Sequence, residues 1–278
     1  MRLRKLRAAE TIAPLGRPLV IAHRGASHDF AEHTLPAYVA AIDAGADGLE
    51  ADVRLTRDGH LVCVHDRTVS RTTDGDGVVG AYRLDELREL EFGEWHQRNP
   101  LRGVRVLELR TLLELVRDAP RRTQLFLETK HPNRFGGLVE KTLVDLLEEF
   151  GWAGKARYPY HPDQPATPDL PVVVMSFNAV ALRRVKMLAP EVPTVQLIDH
   201  WILHRANGIL PSGVPIAGPG LKQLRARPEY VARAHARGNR VFTWPVDKPD
   251  DVAFVRQLGV DAIITSRPRD VLEQLTDR

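Results

Sequence analysis

The sequence predicts a (β/α)8 barrel, the TIM-barrel fold, in a chain of 278 residues. Short apolar runs alternate with helical patterns almost to the end of the chain, which is typical of a parallel βα architecture. Eight of these runs have the length of strands, and their spacing fits a barrel of this size. A doubly wound open sheet is the main alternative, although no glycine-rich dinucleotide fingerprint follows the first strand.

The predicted elements follow in order along the chain. The strands are Leu19–Gly25, Gly48–Val53, Gln124–Lys130, Pro171–Ser176, Pro193–Ile198, Val214–Ala217, Arg240–Trp244 and Asp261–Thr265. The helical patterns are Leu35–Ala46, Leu107–Arg117, Leu138–Phe150, Ala179–Leu188, Glu229–Arg237 and Asp250–Leu258. The last helix stops at Gly259, a residue type that commonly ends helices. After Ile198 there is only a short helical pattern near Trp201–Arg205.

One apolar run, Leu61–His65, is additional to the eight strands. No crossover helix fits between it and the second strand, so the two should form an antiparallel hairpin. Asp58-Gly59 is a strong turn dipeptide. With these as the two central turn residues, His65 lies directly opposite Asp52 on the same face. The hairpin is therefore expected to bring a histidine to the acidic residues of the second strand.

Composition limits the functional classes. Cys63 is the single cysteine, so an intramolecular disulfide is excluded. The net charge is only +3 and the basic residues are scattered, which does not indicate nucleic-acid binding. No segment approaches the length of a membrane span. We expect residues 1–17 to form a flexible basic leader, with weak peripheral membrane contact as its only membrane role, and the protein to be cytoplasmic. Residues 18–278 should form one barrel domain, with an insertion at about 67–106 that contains a short helical pattern, Leu84–Leu90.

Acidic residues occur at regular positions on two strands. Glu50 and Asp52 alternate along the second strand, so both side chains face the same side, which in a barrel is the interior. Glu128 and Lys130 repeat this pattern on the next barrel strand. Inward carboxylates repel each other and lose hydration unless a cation offsets them. Three of them suit a hard cation with oxygen ligands, such as Mg²⁺ or Ca²⁺.

Basic and imidazole groups follow the first strand and the hairpin. His23 ends an apolar run and is followed by Arg24 and Gly25. An arginine beside a glycine, which lets the backbone approach closely, suits a phosphate oxygen. His23 and His65 have the titration range of a general acid and base. Each residue alone is a weak signal, but together they indicate an active site for a phosphate ester.

These motifs make the chain similar to the glycerophosphodiester phosphodiesterase family, from about Leu19 to Pro268. The matching segments are His23-Arg24-Gly25, Ala31–Thr34, Gly48–Val53, Thr56–Gly59, Val64–Asp66, Arg71–Thr73 with Gly75 and Gly77, Leu127–Lys130, Ser176-Phe177, Val241–Trp244 and Gly259–Thr265. The chain departs from the family pattern at His33, where Asn is usual, and also at Ala262 and Ser266. The resemblance implies a barrel with an inserted segment over its mouth.

The resemblance also implies the central chemistry of the site. Glu50, Asp52 and Glu128 become the ligands of one divalent cation, Mg²⁺ or Ca²⁺. His23 and His65 become the acid/base pair. The implied reaction is hydrolysis of a glycerophosphodiester, a small-molecule substrate, to glycerol phosphate and an alcohol. The sequence leaves open which histidine is the acid and which is the base.

Five further residues are implied as substrate contacts. Arg24 and Lys130 would lie on the phosphate, and Glu32 is a further candidate in the same group. Phe177 and Trp244 are candidate apolar walls for the alcohol part of the substrate, and the alternative for both is a plain role in the core.

Two other functions stay open at this point. The first is cleavage of a lysolipid head group of the lysophospholipase D or sphingomyelinase D type, with which the basic leader and Trp201 are compatible. The second is a non-catalytic barrel that binds phosphodiesters. Loss of a metal ligand or a histidine would mark the second, and neither is seen in the sequence.

Overall fold

The computed structural model describes residues 16–153, 171–200 and 207–276. Within these ranges one sheet contains β1 (Leu19–His23), β2 (Gly48–Leu55), β3 (Leu61–Cys63), β4 (Gln124–Thr129), β5 (Val172–Ser176), β6 (Thr194–Ile198), β7 (Ile216–Pro219), β8 (Arg240–Thr243) and β9 (Ala262–Thr265). All pairings are parallel except that of β3 with β2. Because β1 pairs with both β9 and β2, eight parallel strands close into a barrel. The predicted fold class is confirmed, and the open sheet is excluded.

Helices connect the strands around the outside of the barrel. They are α1 (Leu35–Asp43), α2 (Leu84–Arg88), α3 (Leu109–Arg117), α4 (Leu138–Glu149), α5 (Ala179–Leu188), α6 (Leu221–Ala226), α7 (Tyr230–His235), α8 (Pro249–Leu258) and α9 (Pro268–Thr276). The predicted helices correspond to α1, α3, α4, α5, α7 and α8, whereas α6 and α9 are additional. Gly259 ends α8 with φ of +75°, the left-handed conformation that glycine adopts without strain.

Two expectations about the periphery fall partly or wholly outside the described residues. Residues 1–15 of the predicted leader lie outside them, as does the helical pattern at Trp201–Arg205. Among the helices that the structure does describe, none combines the length and the apolar character needed to cross a bilayer.

The barrel interior is filled by apolar side chains from alternate strand positions, as expected for this fold. This inner cluster consists of Leu19, Ile21, Phe126, Val173, Met175, Val195, Leu197, Ile216, Phe242, Ala262 and Ile264. Phe126 and Phe242 meet edge to face with their ring centroids 5.9 Å apart. The outward positions pack beneath the helices, so the strands are apolar on both faces and read as continuous apolar runs in the sequence.

The hairpin of β2 and β3 has a different register from the predicted one. The N–H of Val64 donates to the Asp52 carbonyl at 3.0 Å, so Val64 lies beside Asp52 and the predicted pairing of His65 with Asp52 is wrong. The reason is the loop, which has three residues, 57–59, instead of two. Gly59 adopts φ of +89°, the left-handed conformation that closes a three-residue hairpin loop.

Residues 67–106 contribute no strand to the barrel and pack against the hairpin. Their apolar side chains join those of β3 in a small cluster of Val62, Val64, Val69, Val79, Leu84, Leu87, Phe92 and Val106. Asp58 in the hairpin loop accepts the N–H of Leu84 at 3.1 Å, which ties the start of α2 to the loop. Arg71 reaches Glu32 in the β1–α1 loop at 2.7 Å. The inserted segment therefore covers one side of the C-terminal mouth, as predicted.

Candidate active site

Three carboxylates meet at the C-terminal mouth of the barrel. Glu50 and Asp52 alternate along β2, and Asp52 is paired with Glu128 on β4, so all three face the interior. One oxygen from each carboxylate lies within 4.8 Å of those of the other two. All three residues are buried, so their charges interact strongly. The structure brings together the acidic residues that the sequence selected.

Two cationic side chains lie against this acidic cluster. The Lys130 Nζ is 2.8 Å from Glu128 Oε1 and 3.2 Å from Asp52 Oδ1. The Arg24 Nε is 3.2 Å from Asp52 Oδ2, although this nitrogen has no hydrogen bond of good geometry. Asp52 therefore has two cationic neighbours, and Arg24 keeps one buried donor for a further acceptor.

The three carboxyl groups differ in their affinity for protons. Burial alone would raise the pKa of Asp52, but the Lys130 ammonium and the hydrogen bond to His33 hold it well below its usual range. Burial and the charge of Asp52 raise the pKa of Glu50 well above its usual range. The same two causes raise the pKa of Glu128 to about 8. Two of the three groups thus resist ionisation at neutral pH in the absence of further positive charge.

These residues fit a divalent cation. Three carboxylates supply hard oxygen ligands from two rigid neighbouring strands, and Mg²⁺ and Ca²⁺ prefer such ligands. The raised pKa values of Glu50 and Glu128 show that the protein alone does not supply enough positive charge for three carboxylates. A divalent cation would offset that deficit.

The backbone after β1 is shaped to approach the acidic cluster. Arg24 adopts φ of +59° and Gly25 φ of +85°. This turn directs the Arg24 N–H to Glu50 Oε2 at 3.0 Å. A Cβ atom on Gly25 would lie 2.7 Å from the Ala37 carbonyl carbon, so only glycine fits. The glycine that the sequence analysis selected is thus required by close packing against α1.

His23 is the last residue of β1 and is paired with Glu50 of β2. Burial and the neighbouring charge of Arg24 lower its pKa to about 3, so the imidazole is neutral at physiological pH. Among the described residues, neither ring nitrogen of His23 has a hydrogen-bond partner. Within the described residues both ring nitrogens are therefore left for a ligand at the mouth.

His65 also lies at this mouth, but it is not paired with Asp52 as predicted. It lies beyond the end of β3, where the chain bends and strand geometry no longer fixes the side-chain direction. Its Nδ1 is 2.7 Å from Asp66 Oδ1, which leaves Nε2 for the site. Burial lowers the pKa of His65. The charge of Asp52 raises this pKa, and the charges of Arg24 and Lys130 lower it. His65 therefore lies within the field of the acidic cluster.

Glu32 contacts two guanidinium groups. Arg71 donates to both of its carboxylate oxygens at 2.9 and 2.7 Å, and Arg24 donates to Oε1 at 3.0 Å. Although burial opposes ionisation, these contacts lower the pKa of Glu32 to about 2. Arg71 also donates to Asp66, the partner of His65. A continuous chain of ion pairs thus links Arg24 to His65 across the mouth.

His33 is a positioning residue that sequence reasoning noted only as a departure from the family pattern. Its Nε2 is 2.8 Å from Asp52 Oδ2, and its Nδ1 is 2.8 Å from the Tyr38 hydroxyl. The Tyr38 hydroxyl is also 3.1 Å from the Glu50 carbonyl. His33 adopts φ of +58°, a left-handed conformation that no sequence pattern predicted. It orients one of the three carboxylates from behind.

Two aromatic residues lie on the apolar side of the mouth. Phe177 follows β5 and Trp244 follows β8, and their rings meet at right angles with centroids 5.3 Å apart. The Trp244 indole N–H donates to the Gly218 carbonyl at 2.8 Å. Both pack on the top of the inner cluster and are only partly buried. Their exposed faces are available to a ligand, and their role as substrate walls stays a prediction.

A closed (β/α)8 barrel with an acidic cluster, two histidines and two cations at its C-terminal mouth has the layout of a TIM-barrel enzyme. Comparisons with known proteins agree. The sequence model of the glycerophosphoryl diester phosphodiesterase family matches residues 23–270. A Mycobacterium tuberculosis protein named "Probable glycerophosphodiester phosphodiesterase 1" is 45% identical over 258 residues, covering 91% of this chain and 90% of the relative.

Two further relatives extend the comparison. A glycerophosphodiester phosphodiesterase of Caldanaerobacter subterraneus is 32% identical over 260 residues, covering 92% of this chain and 97% of the relative. The solved structure of an Oleispira antarctica phosphodiesterase in complex with the product sn-glycerol-3-phosphate has a TM-score of 0.76 at 24% identity, covering 93% of this chain and 97% of that one. The chain therefore belongs to the glycerophosphoryl diester phosphodiesterase family, and it is a phosphoric diester hydrolase.

Proposed function

We propose that this protein hydrolyses glycerophosphodiesters to glycerol phosphate and an alcohol, with a divalent cation and two histidines. The observation that carries the proposal is the buried cluster of Glu50, Asp52 and Glu128, in which two carboxyl groups resist ionisation. Two imidazoles, those of His23 and His65, lie at the same mouth. This combination supplies a cation site and two proton carriers around one phosphate.

Glu50, Asp52 and Glu128 would hold the cation, Mg²⁺ or Ca²⁺. When bound, such a cation supplies positive charge that polarises a phosphoryl oxygen and lowers the pKa of a nearby hydroxyl group. His33 keeps Asp52 oriented through its Nε2 contact of 2.8 Å. Such contacts behind a ligand fix its orientation and tune its affinity for the metal.

The two histidines exchange protons with the substrate. One imidazole accepts the proton of the attacking hydroxyl group or water. The other donates a proton to the departing alkoxide, which is a poor leaving group when unprotonated. Asp66 holds Nδ1 of His65 at 2.7 Å and thereby directs its Nε2 toward the reacting groups. The pKa of His23, about 3, makes the ring a weak base before substrate binds, and an anionic phosphate beside it would raise this pKa.

The remaining residues bind and orient the substrate. Arg24 and Lys130 stabilise negative charge on the phosphoryl oxygens as it develops. Glu32 is itself anionic, so we assign it to holding the Arg24 guanidinium rather than to direct contact with phosphate. Phe177 and Trp244 form the apolar wall against the carbon skeleton. The names of the relatives favour a glycerophosphodiester over a lysolipid as the substrate.

The proposal is tested with His23→Ala and His65→Ala. Each should lower kcat for glycerophosphocholine by about 10² to 10⁴-fold, the usual contribution of a general acid or base. Because neither ring belongs to the acidic cluster, binding of Mg²⁺ or Ca²⁺ by calorimetry should stay close to that of the wild type. His60→Ala is the control, since His60 is exposed on the hairpin. Full turnover in either test variant would overturn the assignment.

The same assay separates the lysolipid alternative. Choline release is measured from glycerophosphocholine and from its acylated form, with Mg²⁺, Ca²⁺ or Mn²⁺ present. Faster turnover of the non-acylated compound supports the proposed substrate class, and faster turnover of the acylated compound contradicts it.

A further inference from the structure

Arg54 is a half-buried cation of the mouth that the proposed mechanism does not use. It follows Glu50 and Asp52 on the same face of β2 and therefore lies above them at the mouth. Its Nε and Nη2 donate to the carbonyl oxygen of His65 at 3.1 and 2.6 Å. Within the described residues Arg54 forms no ion pair with a carboxylate. A half-enclosed guanidinium group thus lies beside a proposed proton carrier with donors to spare.

Arg54 lines a cleft between the inserted segment and the β4–α4 loop. Arg67, Lys130 and Arg134 also line it, and no aspartate or glutamate is among its described lining residues. Gly80 allows the walls to approach, because a Cβ atom there would lie 2.9 Å from the Phe135 ring. The Arg134 guanidinium donates to the Gly80 carbonyl at 3.4 Å, which holds it at the edge. Four cationic side chains thus line the cleft. Lys130 is paired with Asp52 and Glu128, whereas Arg54, Arg67 and Arg134 have no carboxylate partner within 4.0 Å among the described residues.

Most described arginines outside the cleft have a carboxylate partner, although a few that lie elsewhere, such as Arg121, Arg237 and Arg256, have none. Arg17 pairs with Asp47 at 2.7 Å, and Arg71 contacts two carboxylates. Further arginines with a carboxylate partner are Arg24, Arg57, Arg83, Arg88, Arg98, Arg102, Arg105, Arg110, Arg117, Arg184, Arg225, Arg233 and Arg267. In the described part of the chain, the three arginines of the cleft have none. Repulsion among unpaired cations at one place is relieved when an anion binds there.

We propose that this cleft binds a second anionic group of the substrate, a phosphate monoester or a carboxylate carried on one arm of the diester. The proposal rests on the proposed function, because Lys130 lines the cleft and also contacts Asp52 and Glu128 at the reacting centre. A diester whose phosphate lies on the acidic cluster can therefore extend one arm past Lys130 to the arginines. Arginine suits this task because its planar group binds phosphate and carboxylate through two parallel hydrogen bonds.

The test compares two pairs of substrates. The first pair is glycerophosphoglycerol and the same compound with a terminal phosphate. Both arms of this diester are glycerol, so the result does not depend on which arm enters the cleft. The second pair is glycerophosphoethanolamine and glycerophosphoserine, which differ by one carboxylate. The ratio of kcat/KM for the anionic member over the other member is measured at low salt for each pair.

We expect the wild type to favour the terminal phosphate by about tenfold or more, mainly through KM, since tenfold corresponds to one charge-assisted contact. Arg67→Gln and Arg134→Gln should each lower this ratio several-fold. Both side chains are exposed, so their replacement is compatible with folding. Arg256→Gln, which removes an exposed charge at the far end of α8, should leave both rates unchanged. In the wild type the ratio should fall as the ionic strength rises.

The outcomes separate the two proposals. A wild type that cleaves all members but shows a ratio near one, unaffected by the cleft variants and by salt, overturns the second-anion site and leaves the proposed function intact. A wild type that cleaves none of them overturns both. A preference shown only in the serine pair assigns the cleft to a carboxylate, and one shown in the phosphate pair assigns it to a phosphate monoester.

Discussion

The mouth of the barrel has two unlike sides. On β2 and β4, neighbouring strands place carboxylates side by side, as Asp52 beside Glu128 shows. On β6 and β7 the corresponding neighbours are apolar, and Leu197 lies beside Gly218. Both sides belong to one continuous sheet with the same geometry. The difference therefore comes from the side chains alone and separates the part of the barrel that does chemistry from the part that supports it.

This separation has an energetic reason. Burying like charges destabilises a fold unless a ligand or a counter-ion offsets them, and Glu50 and Glu128 show the cost in their raised pKa values. The apolar side contributes hydrophobic burial through the inner cluster, in which Phe242 and Ile264 are almost inaccessible. The buried charges lie on one side of this barrel. The fold tolerates them because the apolar remainder of the interior stabilises it.

The largest expected effect is a loss of stability when the apolar side is disrupted. Phe242→Ala removes a fully buried ring that meets Phe126 edge to face at 5.9 Å. It should lower the free energy of unfolding by about 3–5 kcal/mol, because a cavity is left in the inner cluster. Urea denaturation measures this change. At a temperature where the variant is folded, metal affinity should stay near the wild-type value, and a collapse of metal binding would contradict the separation.

A change of intermediate size acts on the charged side. Glu128→Gln should weaken Mg²⁺ or Ca²⁺ binding by about a hundredfold, because one of three anionic ligands is lost. The stability of the metal-free protein should be nearly unchanged, since the pKa of Glu128 is about 8 and its neutral form already dominates at pH 7. Calorimetry and thermal unfolding with and without metal test both halves. Wild-type affinity in this variant would remove Glu128 from the proposed ligands.

The smallest expected effect concerns pH. The pKa of Glu128 is raised to about 8 by burial and by Asp52, so below this pH the metal-free protein holds a proton that the cation must displace. Metal affinity should therefore fall about tenfold for each pH unit below 8 for each proton released. Calorimetry in two buffers of different ionisation enthalpy counts the protons. Glu128→Gln should release fewer, and equal release would assign the proton to another group.

Much of the fold could be predicted because parallel strands are buried on both faces. The barrel strands are largely apolar, and eight of them alternating with helical patterns indicated a barrel, with an open sheet as the main alternative. Helix α6 has six residues and buries only Leu224, so it shows no apolar period, whereas α7 has the same length but buries three residues and was predicted. Helix α9 begins at Pro268 and buries Val271 and Leu275, a helical spacing that was available in the sequence. The first omission was unavoidable, and the second was not.

Some features of the candidate site could also be predicted from the sequence, whereas others could not. Glu50, Asp52 and Arg54 alternate on one strand, so the position of Arg54 could also have been read from the sequence. The contact of Glu32 with Arg71 joins residues 39 positions apart through two loops, and no local pattern encodes it. The hairpin register was wrong because loop length depends on the conformation of Gly59, which a turn dipeptide does not specify.

The three-residue loop of the hairpin has a consequence for how this chain can vary among species. Asp58 accepts hydrogen bonds from the Thr56 hydroxyl at 2.7 Å and from the Leu84 N–H at 3.1 Å, so one side chain fixes both the loop and the inserted segment. Adding or deleting one residue there would shift β3 by one position, so the side chains that pack in the main core and those that pack against the inserted segment would change places. Insertions and deletions in related chains should therefore avoid residues 56–60 and accumulate in the surface turns of residues 67–106.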